Sequence, residues 1–210
     1  MPGPMYVPAP NRTTDSHARE LVAAAAIGTL FTAPDPADPL ALYASTVPVL
    51  WDGDEVLLHL ARANPQVRTL DASACLLVVT GPDGYVSPSY YPSKREHGRV
   101  VPTWNYSEVQ LRGRATVVDG KEAVRDVVER LTGRHETPRA DPWRVDDAPE
   151  PYIEQQLRAI VGVRIAITDV RAKAKWSQSR SGADVDGVLD GLAADGSPAA
   201  LAEMRRANER

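Results

Sequence analysis

From Val109 to Val118 the chain alternates without a break. Val109, Leu111, Gly113, Ala115 and Val117 fall on one side, and Gln110, Arg112, Arg114 and Thr116 on the other. A period of two marks a strand with one face in a core and one in water, which is the antiparallel case. Val161, Val163, Ile165 and Ile167, alternating with Gly162, Arg164, Ala166 and Thr168, repeat the pattern. The 18 prolines interrupt the rest of the chain too often for a helical bundle. A β-rich domain is expected.

Further strands are predicted over Ile27 to Thr32, Leu40 to Leu50, Val56 to Leu60, and Ala74 to Thr80, the last buried on both faces. Asp52-Gly53 between two apolar runs predicts a tight hairpin. The Pro- and Asp-rich Ala33 to Pro39 and the run Gly81-Pro82-Asp83-Gly84 read as turns. Tyr85 to Thr103 reads as a long irregular loop outside the core. Helices are expected over Asn11 to Ala26, capped by Thr14 or Asp15, and over 121–132 and 150–160, with one helical turn between Asn64 and Leu70. Ser181 caps a helix carrying Val185, Val188, Leu189 and Leu192, and Ser197-Pro198 opens a polar C-terminal helix. Most links between strands are too short for parallel crossovers, so the sheet is expected to be antiparallel and closed into a barrel. Residues 1–192 form one domain in this reading, and 193–210 a polar helix or tail.

A chain of 210 residues can bury a core of its own. The formal net charge of -4 argues against broad nucleic-acid binding, which needs a clustered Lys/Arg surface. Cys75, alone and inside an apolar run, forms no intrachain disulfide and reads as a small buried hydrophobe. No apolar stretch nears the roughly 20 residues of a membrane span, and Met1 to Met5 has no secretory-signal pattern, so a cytoplasmic location is expected.

No glycine-rich phosphate loop, nucleophile elbow or metal-ligand spacing occurs. Three segments concentrate polar groups beside strands. His59 to Pro65 places Arg62 and Asn64 at a strand end, where a guanidinium fork can hold a phosphate or the segment can be a capped surface turn. Tyr85 to Tyr106 mixes prolines, aromatics and cations, as a pocket lining or an anchored basic loop does. Lys173 to Arg180 offers many donors to an anion, with Trp176 able to pack on a flat ring, or serves as a charged linker.

Taken in order, these stretches resemble the PaiB family of FMN-binding proteins, whose members are labelled negative transcriptional regulators. The resemblance rests on His59-Leu60-Ala61-Arg62-Ala63-Asn64-Pro65, on Ser87 to Lys94, and on His97-Gly98-Arg99-Val100-Val101-Pro102-Thr103-Trp104-Asn105-Tyr106. Arg130-Leu131-Thr132, Arg134-His135-Glu136, Ala148-Pro149-Glu150, Ile160-Val161-Gly162 and Lys175-x-Ser177-Gln178 add to it. It implies an α+β fold built on an antiparallel split β-barrel, like that of pyridoxamine-phosphate oxidase and flavin reductases, with peripheral helices. It also implies a homodimer with FMN at the subunit interface. By the same resemblance, Ser45 and Thr46 face the flavin, and Arg62 and Asn64 lie near its phosphate or ribityl chain. Asn105 approaches the ring, and Lys175, Ser177 and Gln178 complete the site. The chain departs from the family pattern at Thr46, where His is common, and at Ser179-Arg180-Ser181, where Asn-Arg-Pro is common.

Three functions follow as expectations: an FMN-binding protein with a redox- or flavin-sensing regulatory role, an FMN-dependent oxidoreductase on a small molecule, or a haem-binding split barrel using His59, His97 or His135. A bound flavin exchanges hydride at its own ring, so no catalytic side chain is assigned.

Overall fold

The computed structural model describes residues 5–33 and 41–209. The residues before Met5 and most of the Ala33 to Pro39 turn lie outside the described residues. The strands are β1 (Ile27–Thr32), β2 (Tyr43–Pro48), β3 (Leu50–Asp52), β4 (Glu55–Ala61), β5 (Ala74–Val86), β6 (Thr103–Val118) and β7 (Ile160–Lys175). The helices are α1 (Asp15–Ala25), α2 (Val67–Leu70), α3 (Ser93–His97), α4 (Lys121–Glu136), α5 (Glu150–Arg158), α6 (Gly182–Ala194) and α7 (Pro198–Asn208).

The strands form one sheet in the order β2-β1-β5-β6-β7-β4-β3, so β2 and β3 end it and the sheet is not closed as expected. Val49 alone separates these two strands. One residue is too short for a hairpin loop, so β2 pairs with β1 while β3 turns back on β4. The predicted hairpin at Asp52-Gly53 is therefore made by the three residues of β3, with Gly53 at φ 54° in the left-handed region its turn requires.

The chain forms two compact units. The one containing Val22–Val79 and Gln110–Val170 has its core under the alternating faces read from the sequence. Leu111, Gly113 and Ala115 are buried on β6, and Val161, Val163 and Ile165 on β7. Cys75, Leu77 and Val79 are buried on β5, while Leu76 and Val78 are half-buried, so this stretch alternates rather than burying both faces. A Cβ at Gly113 would stand 2.2 Å from Ala166 O, which is why the apolar row carries a glycine there. Helix α4 buries Val124, Val127 and Leu131, and α5 adds Ile153 and Leu157.

The other unit takes the chain up to Leu21, then Thr80–Val109, then from Arg171 onward. Its core gathers Val86, Tyr91, Trp176, Val188, Leu192 and Met204. Two expectations change here. Gly81-Pro82-Asp83-Gly84 is not a turn but part of β5. Gly84 lets other elements close in, since a Cβ there would meet Leu192 Cδ2 at 2.9 Å and Ala200 Cβ at 3.3 Å. Tyr85 to Thr103 is not wholly outside the core either. After a 3-10 turn over Pro88–Tyr90, Tyr91 is 2 % exposed. Gly187 and Gly191 on α6 provide the flat face on which Tyr90 rests, and an added Cβ would come within 2.0 Å of Tyr90 O and 2.5 Å of its ring. The Ser181 cap forms as predicted, with its side chain accepting from Asp184 N. Helix α7, read as polar, buries Ala200 and Met204.

Candidate functional site

β6 carries its alternation back beyond Val109, but the inward residues change character. Ser107 and Asn105 continue the buried row of Val109 and Leu111. A strand with a fixed period of two thus delivers polar side chains into the interior at one end. β7 runs to Lys175, after which Ser177 adopts φ 62°. Left-handed backbone in a residue other than glycine costs about 1–3 kcal/mol and clusters at working sites. It turns the chain out of the strand so that Ser177 Oγ meets Asn105, which donates from Nδ2 at 3.0 Å.

The result is a cleft of about 210 Å³ whose lining includes Asn105, Lys175, Ser177, Gln178, Arg180 and Tyr91. Lys175 Nζ donates to Thr103 Oγ1 at 2.5 Å and to the Trp104 carbonyl at 2.7 Å. Burial holds its pKa below the usual lysine value, with the nearby Lys173 ammonium acting in the same direction. Gln178 is fixed by its own neighbours: Oε1 accepts from Trp176 N at 2.8 Å, and Nε2 donates to Ala174 O. Arg180 lies over the ring of Tyr91, 4.7 Å from its centroid. The Tyr91 hydroxyl is buried and has no hydrogen-bond partner. Among the described residues no carboxylate lines the cleft. Two cations, several hydroxyl and amide donors and an orphaned phenol make it a receptor for an anion.

Asn105, Lys175, Ser177 and Gln178, four residues picked out by the resemblance, therefore share one cleft. Tyr91, Thr103, Ser179 and Arg180 join them and were not assigned. For Arg180 the signal was present, since it closes the donor-rich run after β7. Tyr91 falls in the aromatic run Tyr85 to Tyr106, read as a pocket lining or an anchored loop, but its orphaned hydroxyl is a property of packing.

The other four belong to the second unit. Asn64 Nδ2 donates to Ser45 Oγ at 2.9 Å, so these two come together. Thr46 points the opposite way, as adjacent strand residues must, and its hydroxyl lies 3.0 Å from that of Thr29. Arg62 is already engaged within the chain. Its two terminal nitrogens bind Asp119 at 2.8 Å each, and it donates further to Arg158 O and Ile160 O. That pairing holds the Asp119 carboxyl down at about 2. As it stands, this guanidinium serves a carboxylate rather than a phosphate.

A family model described as "Putative FMN-binding domain" matches residues 5–169. Protease synthase and sporulation protein PAI 2 of Bacillus subtilis is 35% identical, over 70% of this chain and 69% of its own length. The chain belongs to the PaiB family of FMN-binding proteins. An uncharacterized protein of Aspergillus fumigatus is 32% identical over 72% of this chain and 71% of its own length. Among solved structures, the FAD and heme binding protein of Mycobacterium smegmatis superposes with a TM-score of 0.57 at 20% identity, covering 79% of this chain and 73% of that one. A conserved hypothetical protein of Mycobacterium tuberculosis gives 0.57 at 17% identity, covering 81% and 90%. At such identities these likenesses concern the fold alone, which is the antiparallel split barrel with peripheral helices. FMN is the cofactor of the PaiB family, and the residues of the cleft suit its phosphate: two cations, no opposing carboxylate, and a phenol without an acceptor.

Proposed function

We propose that this chain binds FMN as a homodimer, with the phosphate held at Lys175 and Arg180, and that the bound flavin serves a regulatory, redox- or flavin-sensing role. The carboxylate-free donor set of the cleft carries the reading. A phosphate brings close to two negative charges and three acceptor oxygens, matched by Lys175, Arg180, the Ser177 and Ser179 hydroxyls and the unused Tyr91 phenol.

The size of the cleft supports a second subunit. About 210 Å³ is less than the roughly 300–1,000 Å³ of sites that enclose a small ligand. One chain can wall off one end of a flavin nucleotide and needs another surface for the rest. Val101, which lines the cleft, is 65% exposed, and Trp104, whose carbonyl binds Lys175, is 55% exposed. Trp104 meets the ring of Tyr85 edge-on at 5.8 Å. Aromatics of this kind, bare beside a half-walled cleft, suit a subunit contact.

When bound, the isoalloxazine supplies two-electron chemistry. This chain's part is to anchor the phosphate, position the ring and shield it. The name of the B. subtilis relative, which refers to protease synthesis and sporulation, supports a regulatory output. The net charge of -4 makes a protein partner a better recipient than DNA.

Titration with FMN, followed by flavin fluorescence and gel filtration, tests this. Saturable binding to a dimer is expected, weakened at least tenfold in Lys175→Met and in Arg180→Met. Absence of binding at saturating FMN, with an unmoved melting temperature, overturns it. Anaerobic bleaching of the bound flavin by NADH or NADPH at catalytic rates would replace sensing by oxidoreductase activity.

A further inference from the structure

Helix α7 lies beyond the residues that the family model matches, and its sequence reads as polar. It nevertheless reaches the turn after β7 that shapes the cleft. Trp176, fully buried, stands in that turn between Lys175 and Ser177. Its indole N–H donates to Ser107 Oγ at 2.8 Å, and Ser107 donates to Glu203 Oε2 of α7 at 3.1 Å. Its carbonyl accepts Asn208 Nδ2 of α7 at 2.8 Å. The same amide donates to Met204 O at 2.9 Å, which fixes it on its own helix. Met204 Sδ in turn accepts Asn105 Nδ2 at 3.7 Å.

Asn208 thereby grips a strained point. The Trp176 carbonyl lies in the peptide plane that joins it to Ser177, and the φ of Ser177, 62°, is set against that plane. Left-handed backbone in a serine persists only where its surroundings over-determine it. Asn208 holds one side of the rotation. The other side is held by Asn105 at the Ser177 hydroxyl, and by Arg180 N, which donates to the Ser177 carbonyl at 3.0 Å. With the plane released, Ser177 is free to return to ordinary backbone values, and Arg180 moves with it.

The hold of α7 on its unit is light. Of its 11 residues, Ala200 and Met204 are the buried ones. Through Glu203, Arg206 and Ala207 it lines a second cleft of about 450 Å³, whose wall also includes His17 and Gln178. A helix with few buried apolar contacts opens at low cost, so the docking of its last turn leans on polar contacts such as that of Asn208.

We propose that α7 is a strap that keeps the anion cleft in its binding shape, with Asn208 the positioning residue that fixes the Ser177 turn through the Trp176 carbonyl. The proposal rests on the reading of that cleft as the FMN phosphate site. Coupling between two sites is reciprocal. What α7 lends to the cleft, an occupied cleft returns to α7, so flavin occupancy is read out at this helix. The test is hydrogen exchange followed by mass spectrometry, alongside FMN titration, on the parent, on Asn208→Ala, and on Arg205→Ala as an exposed control in the same helix. Without flavin, Asn208→Ala is expected to speed exchange at the Trp176 and Arg180 amides about tenfold, with the sheet strands and the Arg205→Ala control unchanged. It is expected to weaken FMN binding about fivefold, the worth of one net hydrogen bond. That loss should largely disappear in a Ser177→Gly background, where the left-handed turn needs no clamp. Saturating FMN should slow exchange across α7 in the parent. The proposal falls if Asn208→Ala leaves exchange at Trp176 and Arg180 unchanged, if it leaves FMN affinity unchanged, if its loss is as large beside Ser177→Gly, or if bound FMN leaves α7 exchange unmoved. Should the parent bind no FMN, the flavin reading falls alone, and exchange at Trp176 and Arg180 in the free protein still decides the clamp.

Discussion

Asn64 donates its side-chain amide to Ser45 Oγ at 2.9 Å, joining the end of β4 to β2. These strands lie far apart in the sheet order, with β1, β5, β6 and β7 between them. The sheet therefore curls until the end of β4 meets β2 through side chains, with no backbone ladder between these two strands. Asn64 Oδ1 also accepts Gln66 N at 3.0 Å, fixing the turn after β4.

A net contribution of about 1 kcal/mol per hydrogen bond sets the scale here. Asn64→Ala loses both bonds and is expected to cost about 2 kcal/mol, and Ser45→Ala about 1 kcal/mol. Urea unfolding of the two single variants and the double variant should give a coupling near 1 kcal/mol. A coupling of zero would mean that Asn64 and Ser45 do not meet in solution.

The Arg62–Asp119 pair predicts an acid-sensitive contribution. The Asp119 carboxyl stands at about 2 in the folded chain, below its ordinary value of 3.8, chiefly through the Arg62 hydrogen bonds. A lowered folded value stabilises above the unfolded one and is lost as pH falls through the folded one. The contribution is therefore whole above about pH 4 and disappears toward about pH 2. Asp119→Asn should flatten the urea-midpoint profile across that window and leave its shape unchanged above it.

Gly187→Ala sets two effects against each other. In an isolated helix the change is favourable by about 1 kcal/mol. In α6 the new Cβ would lie 2.0 Å from Tyr90 O, a backbone atom that cannot swing aside. Overpacking of this kind costs about 1–3 kcal/mol, occasionally more, so net destabilisation is expected in thermal melts. Gly182→Ala, with nothing within 4 Å, provides the control in the same helix.

Lys175 carries the remaining prediction. Burial lowers its pKa, so it sheds its charge at a lower pH than an exposed lysine. FMN affinity should begin to fall on the alkaline side before ordinary lysines titrate, and Lys175→Arg should remove that early limb. An affinity that ignores pH up to the usual lysine range would separate Lys175 from the phosphate.

Where periodicity was strict, the fold could be read from the chain. β1 spans Ile27–Thr32 as predicted, and the buried face of β6 holds the predicted residues through Ala115. The failures share a cause. Gly81-Pro82-Asp83-Gly84 carries turn chemistry, yet Gly84 is small because Leu192 and Ala200 press on it. A glycine needed for close approach and one needed for a turn look alike until the partner is known. The same holds at the site. Arg62 reads as a phosphate fork, and only the fold brings Asp119, 57 positions away, into its grip. Lys175, Ser177 and Gln178 sit in one donor-rich run, and the resemblance to the family singled them out. Their grouping with Asn105 rests on the β6 residues lying beside them in space.

Gln178 forms part of the wall of both clefts in its unit. Its amide is held by Trp176 N and Ala174 O, so a substitution at Gln178 would reshape both chambers at once. Any compound fitted to the cleft at Lys175 therefore meets a wall that the neighbouring chamber shares.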